Sequence, residues 1–187
     1  AIILIAILCF LFYPMLGKAD SQAKNSIPNY DDTWDSALTK IRDETTNDSI
    51  ITSWWDFGHW FKAMADRRVT FDGASQNSPK AHWVGKLLLT SDEREAVGIL
   101  RMLDCGSESA YNLLLERIND KILTKKIIDE IILQDKEKAR NTLSKYIDNP
   151  DVILEKTHCN PPEAYLITSE DMVSKAGVWT HFGDWNF

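Results

Sequence analysis

The distribution of hydrophobic and polar positions divides the chain into three parts. Residues 1–17 are almost wholly apolar and carry no charge, residues 18–31 are mainly polar, and residues 32–187 alternate short apolar runs with polar ones. A membrane-spanning helix needs roughly 20 apolar residues, so we interpret the first part as the truncated end of a transmembrane helix. The second part predicts a tether and the third a single globular domain.

Charge placement decides between two interpretations of the apolar segment. A secretory signal would have basic residues before the apolar run and a small-residue cleavage site after it. No basic residue precedes the run, and Gly17-Lys18-Ala19-Asp20 is a poor cleavage site. Lys and Asp are mixed over residues 18–35 without a basic cluster. We therefore expect the globular domain on the external face of a membrane.

Helical periodicity dominates the globular part. Apolar residues recur there three and four positions apart, which predicts several amphipathic helices packed as one layer. A last helix is expected to begin at Ser169-Glu170-Asp171 and to run to about Trp179. The four predicted core stripes are Trp34, Ala37, Leu38 and Ile41; Tyr111, Leu114, Leu115 and Ile118; Ile127, Ile128, Ile131 and Ile132; and Ala139, Leu143, Tyr146 and Ile147.

Shorter β-branched runs predict a small sheet. Residues 49–53 predict a strand, Gly58 allows a sharp turn, residues 59–66 predict a helix, and the alternation of Val69 and Phe71 predicts a second strand. Further strands are expected at residues 152–154 and 165–167. The predicted fold class is therefore α/β, mostly helical, with a small sheet that contains a βαβ unit.

Trp54-Trp55-Asp56 follows the first predicted strand, where open α/β sheets bind ligands. Each indole donates one hydrogen bond, and an ionised carboxylate only accepts. Together these groups can satisfy a ligand hydroxyl both as donor and as acceptor. The alternative is an aromatic cluster in the core.

Several segments together resemble one enzyme family. They are Ser53-Trp54-Trp55-Asp56-Phe57-Gly58, Ala63-Met64-Ala65-Asp66-Arg67, Phe71-Asp72-Gly73-Ala74-Ser75-Gln76-Asn77, Leu100-Arg101-Met102-Leu103-Asp104-Cys105-Gly106 and Asp171-Met172-Val173-Ser174-Lys175-Ala176-Gly177-Val178-Trp179. They resemble the catalytic subunit of oligosaccharyltransferases, with Phe57 where Tyr is common. The resemblance covers nearly the whole chain and is strongest to the archaeal enzymes that transfer a dolichyl-linked glycan to asparagine.

The resemblance implies a multi-pass membrane enzyme of protein N-glycosylation. Its partners would be an acceptor polypeptide with Asn-x-Ser/Thr, a dolichyl-linked oligosaccharide and membrane lipid. Trp54, Trp55 and Asp56 would bind the Ser or Thr hydroxyl of the acceptor. In this family a divalent cation, Mn²⁺ or Mg²⁺, and its acidic ligands lie in transmembrane loops upstream. We expect no catalytic or metal-binding residue in this fragment, and no transferase activity from it alone.

The resemblance also implies a second site motif at Met172, Lys175 and Trp179. Bacterial family members have Met-x-x-Ile followed four residues later by a bulky residue, and eukaryotic members have Asp-x-x-Lys. This chain combines the Met and Trp of the first form with the Lys of the second. The spacing i, i+3, i+7 would put the three residues on one face of a helix. The alternative is a core Met and Trp with a surface Lys.

Composition excludes or leaves open other functions. The net charge of −7 argues against a nucleic-acid partner. The four histidines are far apart, and His158-Cys159 is the only adjacent pair of metal-ligand types, a weak indication of zinc. The alternative to an enzyme is a membrane-anchored module that binds glycans or peptides without catalysis.

Three cysteines and one sequon are candidates for covalent modification. Cys9 falls in the apolar segment, which leaves Cys105 and Cys159 as a disulfide in an external, oxidising setting. Two free buried thiols are the equal alternative. Asn47-Asp48-Ser49 has the form of a glycosylation acceptor at a predicted turn.

Overall fold

The computed structural model describes residues 2–26 and 30–184, and over these residues the protein is mostly helical. Two compact units, Ala1–Ser36 and Ala37–Phe187, divide the chain. The helices α1–α10 are Ile2–Lys24, Asp32–Glu44, Gly58–Ala63, Lys80–Leu89, Glu93–Gly106, Ser109–Ile118, Lys121–Ile132, Lys136–Leu143, Asp151–Thr157 and Ala176–Gly183. The strands β1–β3 are Ile50–Thr52, Arg68–Val69 and Ala164–Leu166, and 3-10 helices cover Trp55–Phe57 and Glu170–Lys175.

Helix α1 extends beyond the apolar N-terminal segment at residues 1–17. It runs to Lys24 and so includes residues 18–24 of the predicted tether at residues 18–31. Residues 27–29 of that tether, and residues 185–187 of the predicted domain, lie outside the described residues. Among the described residues, no helix is both long enough and apolar enough to cross a bilayer.

The three strands form a parallel sheet in the order β2-β1-β3. Ile50 pairs with Arg68 and Ala164, and Ile51 pairs with Val69 and Tyr165. Because α3 connects β1 to its parallel neighbour β2, the predicted βαβ unit is confirmed. The predicted strand near residues 165–167 is present as β3. The strand predicted at residues 152–154 is wrong, because these residues form part of α9, which buries Ile153 and Leu154.

The helices from α4 onward supply most of the core. Gly98 of α5 lies against α7: a Cβ at this position would be 3.0 Å from the carbonyl carbon of Ile132. Gly85 of α4 similarly faces α10, where an added Cβ would be 2.9 Å from the Trp179 carbonyl oxygen. Small residues at these two positions therefore allow the helix pairs to pack closely.

Two buried or half-buried arginines fasten elements together through carbonyl groups. Arg67 is 4% exposed, and its guanidinium donates to the backbone oxygens of Arg42, Thr45, Ala65 and Asp66. It thus fixes the end of α2 to the turn before β2. Arg101 of α5 donates from Nε to Thr157 O at 3.0 Å and from Nη2 to Ile132 O at 3.2 Å. It thus joins α5 to the ends of α7 and α9.

A disulfide adds a covalent connection in the same region. Cys105 in the last turn of α5 is bonded to Cys159, which follows α9, with a Cα–Cα distance of 5.7 Å. The backbone N–H of Cys159 also points at Cys105 Sγ, 3.1 Å away. Of the two alternatives that the sequence leaves open, the structure has the disulfide. The side chain of Cys9 lies outside the described residues.

Candidate functional site

The Trp-Trp-Asp segment lies just beyond the carboxyl end of β1. Strand β1 is buried along its length, and Ser53 and Trp54 continue it into the interior before the 3-10 helix Trp55–Phe57 turns the chain outward. This is the edge of a parallel sheet at which ligands are bound in open α/β folds. The fold thus places Trp55 and Asp56 where the protein interior meets the surface.

The two tryptophans have different environments. Trp54 is 1% exposed and packs edge-on against Phe71, with ring centroids 5.3 Å apart. It also contacts Trp179 and Phe182, at centroid distances of 6.3 and 5.8 Å. Trp55 is half-buried and therefore reaches the surface. The aromatic-core interpretation is thus correct for the Trp54 side chain, while Trp55 is accessible to a ligand.

Asp56 forms an ion pair with a residue from the other predicted motif. Lys175 Nζ donates to Asp56 Oδ2 at 2.5 Å, although the two residues are 119 positions apart. Each side chain is between one quarter and one third exposed, so the pair is screened only in part. Lys175 Nζ also lies 3.7 Å from Asp171 Oδ2 and 5.0 Å from the centroid of the Phe57 ring. The structure therefore brings the two motifs together at the Asp56 carboxylate.

Met172 and Trp179 are buried, unlike the partly exposed Lys175 and Asp56. Met172 is 1% and Trp179 is 8% exposed. The Met172 sulfur is 3.8 Å from Ser53 Oγ and 3.4 Å from the Ser169 nitrogen. The prediction of one helical face for Met172, Lys175 and Trp179 is wrong, because a 3-10 helix ends at Lys175 and α10 begins at Ala176. Tertiary packing, and not helical spacing, brings these residues together.

A second ion pair supports the segment that follows the motif. Asp72 is 5% exposed, and its carboxylate accepts from Lys62 Nζ, from Ser75 Oγ at 2.9 Å and from the Ala74 nitrogen at 3.1 Å. Burial by itself raises the pKa of Asp72, but the hydrogen bonds from Lys62 and Ser75 outweigh it and lower the pKa. Asp72 is thus held ionised directly below the motif.

Gly58 explains why the motif and the Asp72 segment can meet. A Cβ at Gly58 would lie 2.6 Å from Asp72 Cβ and would also meet the Phe71 carbonyl oxygen. The backbone φ of Gly58 is −56°, so space and not a left-handed conformation requires glycine here. Sequence reasoning assigned Gly58 to a turn and gave no role to Lys62 and Asp72. Their ten-residue separation carries no local signal of an ion pair.

The described residues offer little for a metal ion. Among them no group of three or more His, Cys, Asp or Glu side chains is placed to hold one. The weak zinc indication at His158-Cys159 is wrong, because the Cys159 sulfur is in the disulfide. Both ring nitrogens of His158 are also engaged, with Thr157 Oγ1 at 2.8 Å and Gln134 O at 3.1 Å.

Burial lowers the pKa of His82, which contacts the Phe182 carbonyl oxygen, to about 4.

Comparison with known proteins adds independent information. The sequence model of the STT3/PglB/AglB core domain matches residues 47–187. Two proteins named dolichyl-phosphooligosaccharide-protein glycotransferase are each 41% identical to this chain. The protein from Methanococcus voltae aligns over 173 residues, 87% of this chain and 19% of the relative. The protein from Methanocaldococcus jannaschii aligns over 169 residues, 86% of this chain and 18% of the relative. The chain therefore spans about a fifth of the length of these relatives.

More distant similarities are shorter or weaker. The STT3B subunit of a dolichyl-diphosphooligosaccharide–protein glycosyltransferase from Arabidopsis thaliana is 36% identical over 73 residues, 39% of this chain and 10% of the relative. Among solved structures, the C-terminal domain of PglB from C. jejuni aligns with a TM-score of 0.48 and 18% identity, covering 80% of this chain and 52% of that one.

Proposed function

The chain belongs to the STT3/PglB/AglB core-domain family, and from this membership we propose that it is the acceptor-binding part of an oligosaccharyltransferase. Within the intact enzyme it binds the Ser or Thr of an Asn-x-Ser/Thr acceptor, and the enzyme transfers a lipid-linked oligosaccharide to the asparagine. The names of the Methanococcus voltae and Methanocaldococcus jannaschii relatives support this reaction.

The proposal rests on the contact between Lys175 and Asp56, which leaves one carboxylate oxygen of Asp56 available to a ligand. Lys175 engages only Oδ2 of the carboxylate, and Oδ1 has no hydrogen-bond partner among the described residues. The indole N–H of the half-buried Trp55 likewise makes no hydrogen bond to a described residue. A free acceptor and a free donor therefore lie on neighbouring residues at the surface. This pair matches the donor and the acceptor capacity of one hydroxyl group.

Lys175 prepares the carboxylate for this role. Its ammonium donates to Oδ2 and so fixes the orientation of the carboxylate, which leaves Oδ1 as the acceptor that faces a ligand. Contacts with Asp171 and with the face of Phe57 restrict where the ammonium can move. We therefore assign Lys175 as a positioning residue that orients Asp56, with Asp56 and Trp55 touching the acceptor.

The remaining predicted site residues support this pair from below. Trp54, Met172 and Trp179 are at most 8% exposed. Trp54 contacts Trp179, and the Met172 sulfur contacts Ser53, the residue before Trp54. Trp54 thus holds Trp55 and Asp56 at a fixed position, since a packed indole has little rotational freedom. Rigid support matters because a binding pocket discriminates between ligands only if its polar groups stay in place.

The chemistry of transfer belongs to the intact membrane enzyme. The acceptor amide nitrogen attacks the lipid-linked sugar, and the lipid phosphate leaves. A divalent cation, held by residues outside this chain, would supply positive charge to that phosphate. The described residues hold the acceptor polypeptide in place on the external side of the membrane. This chain alone is expected to bind the acceptor and to have no transferase activity.

Transfer to an acceptor peptide in the intact enzyme tests the proposal. We expect Asp56→Ala and Trp55→Phe each to lower kcat/KM for an Asn-x-Thr peptide by roughly 10- to 100-fold, the effect of losing a hydrogen bond to a charged or buried group. Glu116→Ala, which removes an exposed carboxylate from α6, is the matched control and should leave transfer unchanged. Unchanged transfer in both site variants would favour a module that binds glycans or peptides without catalysis.

A further inference from the structure

The chain contains its own potential acceptor. Asn47-Asp48-Ser49 is the only Asn-x-Ser/Thr triplet with a non-proline middle residue in the 187 residues. Asn47 and Asp48 are exposed at a turn between α2 and β1, whereas Ser49 is 0% exposed. An acceptor of this type needs the asparagine and also the hydroxyl two residues later. The folded chain thus exposes one half of the sequon and buries the other.

The backbone around the sequon is closed into a turn. The Ser49 nitrogen donates to Thr46 O at 3.0 Å, which places Asn47 and Asp48 at the two central positions. The Arg68 guanidinium donates to the Asp48 carbonyl oxygen and ties the turn to β2. Ser49 then leads directly into β1, whose Ile50 nitrogen donates to Glu163 O at 2.9 Å. Extending the sequon would break these contacts.

The hydroxyl of Ser49 is held by a residue distant in sequence. Ser49 Oγ donates to Glu163 Oε2 at 3.0 Å and lies 2.9 Å from Thr46 Oγ1. The same carboxylate oxygen accepts from the nitrogen and the hydroxyl of Thr46, each at 3.3 Å. Hydrogen bonds from Tyr165, Ser49 and Thr46 lower the pKa of Glu163, so the acceptor oxygen is ionised at neutral pH. Glu163 therefore accepts the hydrogen bond of the Ser49 hydroxyl, which an oligosaccharyltransferase would have to bind.

We propose that Asn47 is an N-glycosylation site that is available only while this part of the chain is unfolded. In the modification, the Asn47 amide nitrogen forms a bond to the anomeric carbon of a dolichyl-phosphate-linked oligosaccharide. The bond from that carbon to the phosphate oxygen breaks, the lipid phosphate leaves, and the amide proton is released to the phosphate or to water. Pairing of β3 with β1 places Glu163 against Ser49 and closes the site. The inference rests on the proposed function, because it assumes that the hydroxyl must be bound for transfer.

The test compares one sequon in two states. The glycotransferase of Methanocaldococcus jannaschii, supplied with dolichyl-linked oligosaccharide, is given either a synthetic peptide of residues 43–53 or the folded chain, and occupancy of Asn47 is followed by mass spectrometry. Because a separate enzyme is used, failure of the site proposed for this chain would not affect the result. Lys121→Ser provides a control for exposure of the hydroxyl, since it creates the same Asn-Asp-Ser triplet at residues 119–121, where position 121 is exposed. The backbone of this triplet is held as well, because Asn119 caps the end of α6 and Asp120 the start of α7.

We expect the peptide to be modified at least about 100-fold faster than Asn47 in the folded chain, since the turn must open first. Asn119 of the folded Lys121→Ser chain should be modified faster than Asn47 of the same molecule. Glu163→Ala should raise the rate at Asn47 while the circular dichroism spectrum and the Asn119 rate stay unchanged. Modification of the folded wild-type chain within threefold of the peptide, a peptide that is not modified, or no gain in Glu163→Ala would each overturn the proposal.

Discussion

Removal of the Cys105–Cys159 disulfide should lower the stability of the folded chain substantially. The two cysteines are 54 positions apart, and the loop between them contains α6, α7, α8 and α9 entirely. In the chain-entropy treatment, closing a loop of this length removes about 14 cal/mol/K from the unfolded ensemble, equivalent to about 4 kcal/mol at 25 °C. The corresponding fall in Tm is roughly 8–16 °C for a chain of this size.

The measurement is urea unfolding of Cys105→Ala/Cys159→Ala against the oxidised parent, both with Cys9→Ala so that no third thiol can exchange. Far-UV circular dichroism follows the helices, and a similar m-value in both proteins shows that the same surface is exposed on unfolding. The Cys105→Ala/Cys159→Ala protein with and without reductant is the control. Its midpoint should not change, whereas reductant should destabilise the oxidised parent to a similar extent as the substitutions.

A loss below about 1 kcal/mol would refute this reasoning. It would mean that α5 and α9 are held together by their other contacts, such as those of Arg101, and that the loop is already constrained when unfolded. Failure of the oxidised protein to form the bond would refute it as well. Mass spectrometry without reductant distinguishes that case.

Three further predictions concern the site and its support. Lys175→Met in the intact enzyme should reduce kcat/KM for an acceptor peptide by roughly 10-fold or more, because Asp56 loses the cation that orients it. Lys175→Arg should retain part of the activity. Equal activity of Lys175→Met and the parent would contradict a positioning role. Gly58→Ala should destabilise the chain by about 1–3 kcal/mol in urea unfolding, since its Cβ would overlap Asp72, whereas Gly177→Ala, where an added Cβ meets nothing within 4 Å, should not. Burial raises the pKa of Asp104 to about 6, and its Oδ1 is buried without a hydrogen-bond partner among the described residues. Because this pKa lies above the value of about 4 in the unfolded chain, the protonated carboxyl contributes its full stability below about pH 4. That contribution is lost as the pH rises through 6. Asp104→Asn should therefore stabilise the chain by roughly 1–2 kcal/mol at pH 7.5, after allowance for solvent screening, and should give no gain at pH 4.

Local patterns predicted the part of the fold that presents the site. The β-branched residues of β1 and the apolar stripes of α6 and α7 each reflect a periodicity that one element imposes on its own sequence. The sharp turn predicted at Gly58 is wrong, because Gly58 is the first residue of α3. The same rule failed at residues 152–154, because a short apolar run does not distinguish a buried strand from a buried helix. There Pro150 and Asp151 begin α9, a start signal for a helix that outweighs the β-branched residues.

The contacts that complete the site could not be predicted from spacing. Lys175 pairs with Asp56 across 119 residues, and Glu163 with Ser49 across 114, so both depend on how β3 and the following 3-10 helix pack against β1. The change from 3-10 to α-helix at Lys175 likewise follows from packing, since Met172 is drawn into the core beside Ser53. The spacing of Cys105 and Cys159 was equally compatible with free thiols, because pairing requires a Cα distance that sequence does not give.

Discrimination between threonine and valine in the acceptor tests the central proposal most directly. Valine has nearly the shape of threonine but no hydroxyl, so a site that binds the hydroxyl should reject an Asn-x-Val peptide by about 10⁴-fold in kcat/KM. In the intact enzyme, Asp56→Ala should reduce this ratio to roughly 100- to 1,000-fold, mainly through slower transfer to the threonine peptide. A ratio that stays near that of the parent enzyme would show that Asp56 does not bind the acceptor hydroxyl.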